Sequence, residues 1–301
     1  MGCHDARARA HSTALTQTLR VKMHAPEKTR QPAMTPRQIL QHTDSGQLWP
    51  ADANASSSTV SSAYQTALAV RDLRVQRGEQ IRGYKVGFTN RSIWQRYNVA
   101  APVWGFMWKA SVEFVDGANG ARNQVDLSRL CQPRIEPEAV FCFKATPPAN
   151  CTDDELFASL DWVAPGFELV QSHAADWKFA APQAVADGAL HARLIVGQRT
   201  PVAHIASQAD QLHTVLARVG VSLQKNGVTV ETGRGANVLD SPFYALKHFL
   251  VELRACPGAG DVEPRDVVTT GTWTDAWPVS SGQTWTAQFD GALAALEVTF
   301  S

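Results

Sequence analysis

Cysteine is scarce in this chain of 301 residues, and its pattern excludes two kinds of structural site. The five cysteines are odd in number, and none stands in a CxxC spacing. A disulfide framework and a cysteine-based zinc site are therefore not indicated. Reduced thiols are typical of a cytosolic protein, so we predict a cytoplasmic location.

Long apolar runs are missing too, and so is an excess of charge of either sign. No run approaches the roughly 18 apolar residues of a membrane-spanning helix. Lys plus Arg and Asp plus Glu number 28 each, which gives no reason to expect a nucleic acid or an acidic membrane as partner. The length suggests one large domain, or a main domain with an appendage.

Two common enzyme motifs are absent. The sequence contains no GxSxG, so the nucleophile elbow of the hydrolases is excluded. The glycine-rich stretch "GRGANVLDSP" does not fit G-x-G-x-x-G, and it follows a predicted hairpin arm rather than the first strand of a βαβ unit. A dinucleotide site is therefore not indicated.

Residues 1–33 differ in composition from the rest of the chain. They carry scattered Arg and Lys, few acids and no apolar h-region, so they do not form a secretory signal. An organelle transit peptide and an overlong start, with Met34 as the natural initiator, both agree with this composition. We predict a disordered, dispensable tail.

The remaining sequence shows helical spacing first and strand alternation later. Helices are predicted from Pro36 behind Thr35, from Ser61 to Arg77, after Thr89 or Asn90 through Tyr97, near Asp153 to Ala164, and from Pro242 through Leu253. Strands are predicted around Lys85, as a hairpin that turns at Asn226-Gly227, and as a C-terminal pair joined near Asp290-Gly291. We therefore predict an α+β fold in which a helical segment with the lysine strand, residues 34–100, precedes a strand-rich core, residues 101–301.

Two glutamates stand one residue apart in the apolar stretch "PRIEPEAVF". In a strand, Glu136, Glu138 and Val140 share one face. Two carboxylates about 5 Å apart at an effective dielectric constant near 20 repel by roughly 3 kcal/mol. That is a large fraction of a net folding stability of roughly 5–15 kcal/mol. Solvent, a raised pKa, a basic partner or a divalent cation must compensate.

A third glutamate, Glu168, lies in the similar apolar segment "GFELVQSH". Three such carboxylates suit a hard cation with open positions for water and substrate. An exposed sheet face, or salt bridges to Arg134 and Lys85, explains the same pattern equally well, because most glutamates are exposed.

Lys85, in "GYKVGF", shares its strand face with Gly83 and Gly87. The two glycines leave the backbone bare, which suits close approach of a ligand, so Gly87 is a candidate substrate-binding residue. The ammonium could bind a carboxylate or transfer a proton. Taken alone, this segment is explained at least as well by a surface lysine.

Six separated motifs resemble the fumarylacetoacetate hydrolase superfamily: "GYKVGFTN", "PVWGFM", "PRIEPEAVF", "GFELVQSH", "GRGANVLDSP" and "DVVTTGT". Within it they most resemble the branch of 2-keto-4-pentenoate hydratases and 4-oxalocrotonate decarboxylases. The similarity runs from about residue 60 to the C-terminus. It implies a mixed β-roll or β-sandwich core of the fumarylacetoacetase C-terminal type, flanked by helices.

The resemblance also implies a site for Mg²⁺ or Mn²⁺ and a small 2-oxo acid. The implied metal ligands are Glu136, Glu138 and Glu168, and the implied catalytic lysine is Lys85. The implied substrate-binding residues, besides Gly87, are Thr270, Gly271 and Thr272. A homo-oligomer is expected, with neither nucleic acid nor membrane as partner.

Both activities of this branch start from a 2-oxo acid that chelates the metal, followed either by addition of water across the conjugated double bond or by loss of CO₂. "PVWGFM" carries Val103 where hydratases usually have an acid, and "TGTWTDAWPV" is also closer to the decarboxylase form. Hydration needs more proton transfer, which His173 and His191 could supply. On that basis we predict a hydratase that acts in the catabolism of aromatic-derived compounds, with the decarboxylase as alternative.

Two further alternatives remain at this stage. One is a C–C bond hydrolase that acts on acylpyruvates, an activity that the superfamily also contains. The other is a non-catalytic partner subunit. The intact glutamates and Lys85 argue against the second.

Overall fold

The computed structural model describes residues 34–51, 53, 59–115 and 123–301, and the predicted tail at 1–33 lies outside them. Within the described ranges the helices are α1 (Pro36–Ser45), α2 (Val60–Gln76), α3 (Trp94–Tyr97), α4 (Asp153–Ala158), α5 (Ala181–Ala186), α6 (Ala209–Arg218) and α7 (Pro242–Ala255). The strands are β1 (Ile81–Gly87), β2 (Val103–Trp108), β3 (Val112–Phe114), β4 (Asn123–Val125), β5 (Arg134–Phe143), β6 (Leu160–Val170), β7 (His191–Val196), β8 (Thr200–Pro201), β9 (Gly220–Lys225), β10 (Val228–Arg234), β11 (Val267–Thr269), β12 (Trp277–Pro278), β13 (Thr284–Phe289) and β14 (Leu296–Phe300).

These strands form two sheets. The larger one has the order β2-β1-β11-β5-β6-β7-β3, with β12 paired to β5 and β8 paired to β6. It is mixed, because β1 runs parallel to β11 while β5 and β6 are antiparallel. The second sheet has the order β10-β9-β13-β14-β4. The predicted α+β class and mixed core are thereby confirmed.

The lysine strand belongs to the same sheet as the strands of the predicted core. β1 pairs with β2 on one side and with β11 on the other. The predicted segments 34–100 and 101–301 therefore share one sheet, and the described residues from Met34 to Ser301 belong to one compact unit.

Local capping signals place the first helices and α7 where the sequence predicts them. Thr35 accepts a hydrogen bond from the Gln38 N–H, with Pro36 in the first turn. α2 begins behind Thr59, which forms a capping box with Ser62. Ser241 caps α7 in the same way through the Tyr244 N–H.

Both predicted hairpins are confirmed. β9 and β10 turn at Asn226 and Gly227, whose positive φ values of 50° and 79° suit a tight two-residue turn. The C-terminal strands β13 and β14 are antiparallel, and Gly291 in their connection has a φ of 68°.

The predicted helix near Asp153 to Ala164 is wrong in its second half. Thr152 and Glu155 cap α4, but it ends at Ala158, and β6 begins at Leu160. The residues from 160 onward pair with β5 instead, since that pairing completes the centre of the larger sheet. The helices α5 and α6 were not predicted.

The core encloses the central strands of the larger sheet. Phe249 of α7 lies 5.3 Å from Tyr84 of β1, ring centre to ring centre, and is fully buried. Burial of one such side chain contributes about 1.5–3 kcal/mol. Tyr64 of α2 stacks on Trp104 of β2 and accepts a 2.9 Å hydrogen bond from the Trp104 N–H. These contacts fix the strand that carries Lys85.

None of the helices in the described ranges combines the length and apolar character that crossing a membrane requires.

Candidate metal centre

The pairing of β5 with β6 places three carboxylates on one face of the sheet. Glu136 lies directly opposite Glu168, and Glu138 lies opposite Gly166. Directly opposed residues on antiparallel strands project to the same side, where like charges destabilise the pair. One oxygen from each of Glu136, Glu138 and Glu168 lies within 4.8 Å of the others. The alternation predicted from the sequence therefore brings these three side chains together.

Glu138 is held by backbone amides of the loop after β11. Its Oε2 accepts hydrogen bonds from the N–H groups of Thr270, at 3.0 Å, and Gly271, at 2.6 Å. Gly271 has a φ of 95°, and a Cβ at this position would lie 1.9 Å from Thr89 Oγ1. Only glycine fits both the backbone conformation and the space. The other oxygen, Glu138 Oε1, is buried and finds no hydrogen-bond partner in the described part of the chain.

Glu168 is held by two side chains from other strands. Lys85 Nζ of β1 lies 3.0 Å from Oε2, and His191 Nδ1 of β7 lies 2.8 Å from Oε1. A carboxylate only accepts, so the imidazole donates from Nδ1. Its Nε2 lies 2.8 Å from Ser111 Oγ. Glu168 is therefore fixed from both sides.

The pKa values of the three carboxyls diverge. Burial raises the pKa of Glu136 to about 7, partly offset by Lys85. Burial and the charges of Glu168 and Glu136 raise the pKa of Glu138 well above its ordinary value. Burial alone would raise the pKa of Glu168 as well, but Lys85 and His191 outweigh burial and leave this pKa below the ordinary value.

The pKa values of the two bases of the cluster, Lys85 and His191, are also shifted by their surroundings. Burial lowers the pKa of Lys85, but the charges of the three glutamates outweigh it, so the ammonium is retained. Burial lowers the pKa of His191 despite its contact with Glu168, so the imidazole is neutral near pH 7. With three carboxylates at −1 each and Lys85 at +1, the ionised cluster carries a charge of −2.

A cavity of about 230 Å³ lies against this cluster. The residues predicted from the sequence that line it are Lys85, Gly87, Glu136, Gly271 and Thr272. Its volume is below the roughly 300–1,000 Å³ of pockets for drug-sized ligands, which suits a smaller molecule. Lys85, Glu136 and three of the four predicted substrate-binding residues therefore line one cavity, whereas Glu138, Glu168 and Thr270 are not among its lining residues.

The two predicted catalytic histidines do not line this cavity. His173 is buried away from it. Its ring Nδ1 lies 2.6 Å from Asp187 Oδ1, and its backbone N–H donates to Asp187 Oδ2. His191 reaches the cluster only through Glu168, and it borders a second cavity of about 240 Å³. Neither ring therefore contacts the space where a substrate would react.

Two other predicted residues have different surroundings from those expected. The hydroxyl of Thr270 donates to the Ala139 carbonyl and is fully buried, so only its backbone serves the cluster. The backbone of Gly83 faces a strand rather than a ligand, since a Cβ there would lie 1.9 Å from the Val267 carbonyl oxygen. Gly87, by contrast, does line the cavity.

Several lining residues were not recognised from the sequence as part of a site. Phe88, Tyr97 and Phe179 form a stacked row, with ring centres 4.7 and 5.7 Å apart. Trp177 adjoins Phe179 at 6.0 Å. These residues lie in connections and short helices without a strand or helix period, so no pattern marked them. Arg134 was named only as a salt-bridge partner.

Comparisons with known proteins establish the family of the chain. No protein-family model matches the chain. The chain is 31% identical over 234 residues to a 4-oxalocrotonate decarboxylase of Pseudomonas sp. strain CF600, an alignment that covers 77% of this chain and 83% of that protein. The chain belongs to the hydratase and decarboxylase branch of the fumarylacetoacetate hydrolase family.

Two further members of the family are similar over most of their length. A 2-hydroxyhexa-2,4-dienoate hydratase of Comamonas testosteroni is 32% identical over 200 residues, 66% of this chain and 71% of the hydratase. The solved structure of 4-oxalocrotonate decarboxylase from Pseudomonas putida G7, complexed with magnesium and adipate, superposes with a TM-score of 0.77 at 26% identity. It covers 88% of this chain and 95% of the decarboxylase.

Proposed function

We propose that the protein is a divalent-metal-dependent lyase that acts on 2-hydroxydienoate or 2-oxo-enoate acids, as a hydratase of the 2-keto-4-pentenoate type. The observation that carries this proposal is the cluster of Glu136, Glu138 and Glu168 at a cavity that also presents Lys85. The family contains hydratases and decarboxylases, and both use small acids of this kind.

The donor set fits a divalent cation in charge and in kind. With all three carboxyls ionised the cluster carries −2, which a divalent ion neutralises, and carboxylate oxygens are the ligands that Mg²⁺ and Mn²⁺ prefer. Among the described residues the buried Glu138 Oε1 has no hydrogen-bond partner, and an unpaired buried carboxylate is costly without a cation. Glu136, Glu138 and Glu168 would hold the ion, and the similar decarboxylase structure is complexed with magnesium.

When bound, a divalent cation supplies Lewis-acid stabilisation of the charge that develops on the oxygen of a 2-oxo acid. The chain's own residues set the geometry around it. The amides of Thr270 and Gly271 orient Glu138, and His191 orients Glu168. Oriented ligands and their hydrogen-bond partners determine the affinity and position of a metal ion.

Lys85 is the group placed to act on the substrate. Its ammonium lies at the junction of Glu168 and the cavity and is retained by the surrounding carboxylates. A cation at this position binds a substrate carboxylate or an oxygen on which negative charge grows, and it can hold or give a proton there. The stacked rings of Phe88, Tyr97 and Phe179 line the same cavity and would give the hydrocarbon part of the substrate an apolar wall.

A second candidate is decarboxylation of the 4-oxalocrotonate type. It is favoured by the placement of His173 and His191, because the hydratase prediction used these rings for proton transfer and neither lines the cavity. Loss of CO₂ needs fewer proton transfers than hydration. The related decarboxylase of Pseudomonas sp. strain CF600 supports the same alternative.

One assay separates the two reactions and tests the proposal. The purified full chain with Mg²⁺ or Mn²⁺ is incubated with a panel of 2-hydroxydienoates and with 4-oxalocrotonate, and loss of the conjugated ultraviolet band is followed together with released CO₂. Metal-dependent loss of absorbance without CO₂ supports the hydratase. Loss accompanied by stoichiometric CO₂ supports the decarboxylase. No metal-dependent turnover of any of these acids would refute both.

A further inference from the structure

We propose that the second cavity, the one of about 240 Å³ that borders His191, binds a small carboxylate carrying an apolar ring. Arg193 is the main contact of the carboxylate group, with Arg129 beside it. The ligand is distinct from the substrate, and its binding needs no metal ion. This site is therefore additional to the proposed function and does not depend on it.

A close backbone contact separates the second cavity from the first, the one that Lys85 lines. Gly105 of β2 and Gly188 line the second cavity, whereas Ala189, the next residue in the chain, lines the first. A Cβ on Gly105 would lie 2.4 Å from the Gly188 carbonyl oxygen and 2.9 Å from the Ala189 Cβ, so the two segments touch. A molecule in the second cavity therefore occupies a different space from a substrate beside Lys85.

Much of the wall of the second cavity is apolar. Its large apolar side chains are those of Ile39, Val70, Trp104, Phe106, Trp108 and Leu130. A cavity of about 150 Å³ lined by Leu, Ile and Phe binds benzene, whereas pockets for drug-sized ligands have roughly 300–1,000 Å³. The volume of about 240 Å³ lies between the two. It suits one six-membered ring with a short polar group.

Four arginines also line the second cavity, and two of them already have acidic partners. Arg71 pairs with Asp72 at 2.8 Å, and Arg74 pairs with Glu79 at 2.6 Å. Both guanidiniums lie over aromatic rings of the wall, 5.4 and 4.2 Å from the ring centres. These two arginines therefore hold the wall in place.

The two acids that line the cavity are engaged as well. Asp44 pairs with Arg77 at 2.6 Å. Asp187 accepts hydrogen bonds from the ring and the backbone N–H of His173. Neither carboxylate is paired with the remaining two arginines.

Those two arginines, Arg129 and Arg193, have no acidic partner in the described part of the chain. Arg193 follows His191 by two residues in β7, so the two side chains share a strand face, and both line the cavity. Asp126 acts on Arg129 and Arg193 only at longer range. A guanidinium stays charged and presents a planar fork that matches a carboxylate.

The exposure of the two arginines sets the orientation of the ligand. Arg193 is half-buried and Arg129 is exposed. The carboxylate therefore lies toward solvent at these two side chains, and the ring lies against the aromatic wall. A small inorganic anion would leave the apolar wall uncovered, and a neutral ring would leave the half-buried Arg193 without a counter-ion. An apolar ring with one carboxylate satisfies both parts of the cavity.

The test uses three probes of the same shape that differ in charge. The probes are 4-fluorobenzoate, 4-fluorobenzamide and 4-fluorobenzamidine, and fluorine NMR follows their binding to the full chain with and without Mg²⁺. We expect the benzoate to bind at least about 10-fold more tightly than the amide, the effect of a hydrogen bond to a charged group. The positively charged amidine should bind more weakly than the amide, and Mg²⁺ should not be needed by any of the three.

Replacement of the arginines should remove the preference for the acid. In Arg193→Met the preference of the benzoate over the amide should fall below about 3-fold, with the affinity for the amide nearly unchanged. Arg129→Met should reduce the preference by a smaller factor, because Arg129 is exposed. Arg193→Lys keeps the charge but not the fork, and it should retain part of the preference. It also serves if Arg193→Met folds poorly.

Two further variants locate the bound ring. Ala67 of α2 lines the second cavity, so Ala67→Phe places a ring in that space without a change of charge. Binding of the benzoate and of the amide should both be lost, and a thermal melt checks that this variant is folded. Arg134 lines the first cavity, so Arg134→Met should leave the affinity for the benzoate unchanged.

Equal affinities of the wild-type protein for the benzoate and the amide, or no binding of the benzoate, would overturn the proposal. So would a preference that survives in Arg193→Met, or binding that survives in folded Ala67→Phe. Binding that requires Mg²⁺, or that is lost in Arg134→Met, would place the probe in the first cavity and would also overturn it. None of these results bears on turnover of 2-hydroxydienoates, which tests the proposed function separately.

Discussion

Lys85 and Glu168 form an ion pair in the interior, with Nζ 3.0 Å from Oε2 and side chains that are 4% and 0% exposed. Two strands, β11 and β5, separate β1 from β6 in the sheet, so the lysine reaches across the face that carries the other two carboxylates. It is the one ammonium within the described part of the cluster, and it leaves two negative charges for a cation to neutralise.

Replacement of Lys85 by Met should lower kcat by about 10²-fold or more with saturating metal, the scale for one electrostatic or acid–base group. The affinity for Mg²⁺ should stay the same or rise, because a positive charge is removed from a cation site. The metal-free variant should melt at a lower temperature, since Glu168 loses its counter-ion. Steady-state kinetics, metal titration and thermal melts of one variant test these three outcomes together.

Lys109→Met is the matched control for this variant. Lys109 is exposed, and its Nζ lies 3.4 Å from Gln80 Oε1, so its loss should leave turnover unchanged. Near-normal kcat in metal-saturated, folded Lys85→Met would remove Lys85 from the chemistry.

The two buried histidines should behave differently when each is replaced by Ala. His191→Ala removes the hydrogen bond that orients Glu168 and should weaken Mg²⁺ binding by about 10- to 100-fold, the usual effect of a partner of a metal ligand. His173→Ala leaves Asp187 buried without its ring partner and should cost about 1–3 kcal/mol of unfolding free energy. Its metal affinity should change little.

Metal titration and chemical denaturation of both variants check this contrast. A loss of metal affinity in His173→Ala equal to that in His191→Ala would mean that the two contacts do not have the separate roles assigned to them.

Gly271 offers a test of the amide contacts to Glu138. Gly271→Ala should be strongly destabilising, because its positive φ costs about 1–2 kcal/mol and its Cβ would also overlap Thr89 Oγ1. Metal affinity should fall as well, since the Gly271 N–H that binds Glu138 would shift. Gly282 has a similar φ of 81° with no atom within 4 Å of an added Cβ. Gly282→Ala therefore measures the backbone cost alone.

Chemical denaturation of the two glycine variants gives the comparison. An equal loss of stability in both, with full metal binding in Gly271→Ala, would show that the contact with Thr89 and the amide geometry are unimportant.

Elements set by adjacent residues could be predicted from the sequence, whereas elements set by distant partners could not. Thr35, Ser241 and the Asn226-Gly227 turn act through hydrogen bonds and φ angles within four residues, and the elements that they begin or join are confirmed. Residues 160–164 were assigned to a helix wrongly, because pairing with β5 decides their conformation. The helix α5 has only six residues, too few for a periodicity to mark it. α6 does bury Ala209, Leu212 and Leu216 at helical spacing, a signal that the sequence analysis overlooked.

The residues of the site also fall into two groups, those that local sequence predicts and those that depend on tertiary contacts. Strand alternation predicts that Glu136 and Glu138 share a face, and the structure places them so, with Glu168 opposite. The role of His191 as a partner of Glu168, and the amides that hold Glu138, depend on β7 and on the loop after β11. No local pattern connects these segments with β5. The aromatic row and the guanidinium of Arg134 meet only through the folding of the chain.

The central claim is that Glu136, Glu138 and Glu168 hold one divalent cation, and Mn²⁺ binding tests it most directly. Electron paramagnetic resonance of free Mn²⁺, titrated with the metal-free chain, should give one tight site in the wild-type protein and none in Glu138→Gln. A bound ion also stabilises the folded state, so saturating Mn²⁺ should raise the melting temperature of the wild-type protein only.

Glu138→Gln has a second expected signature that distinguishes it from a misfolded protein. Burial, together with the charges of Glu168 and Glu136, raises the pKa of Glu138, and the neutral amide avoids the buried charge that they disfavour. Without metal the variant should therefore melt no lower than the wild-type protein. One Mn²⁺ per wild-type chain, lost in a stable Glu138→Gln, is the predicted result. Unchanged Mn²⁺ binding by folded Glu138→Gln would contradict the account.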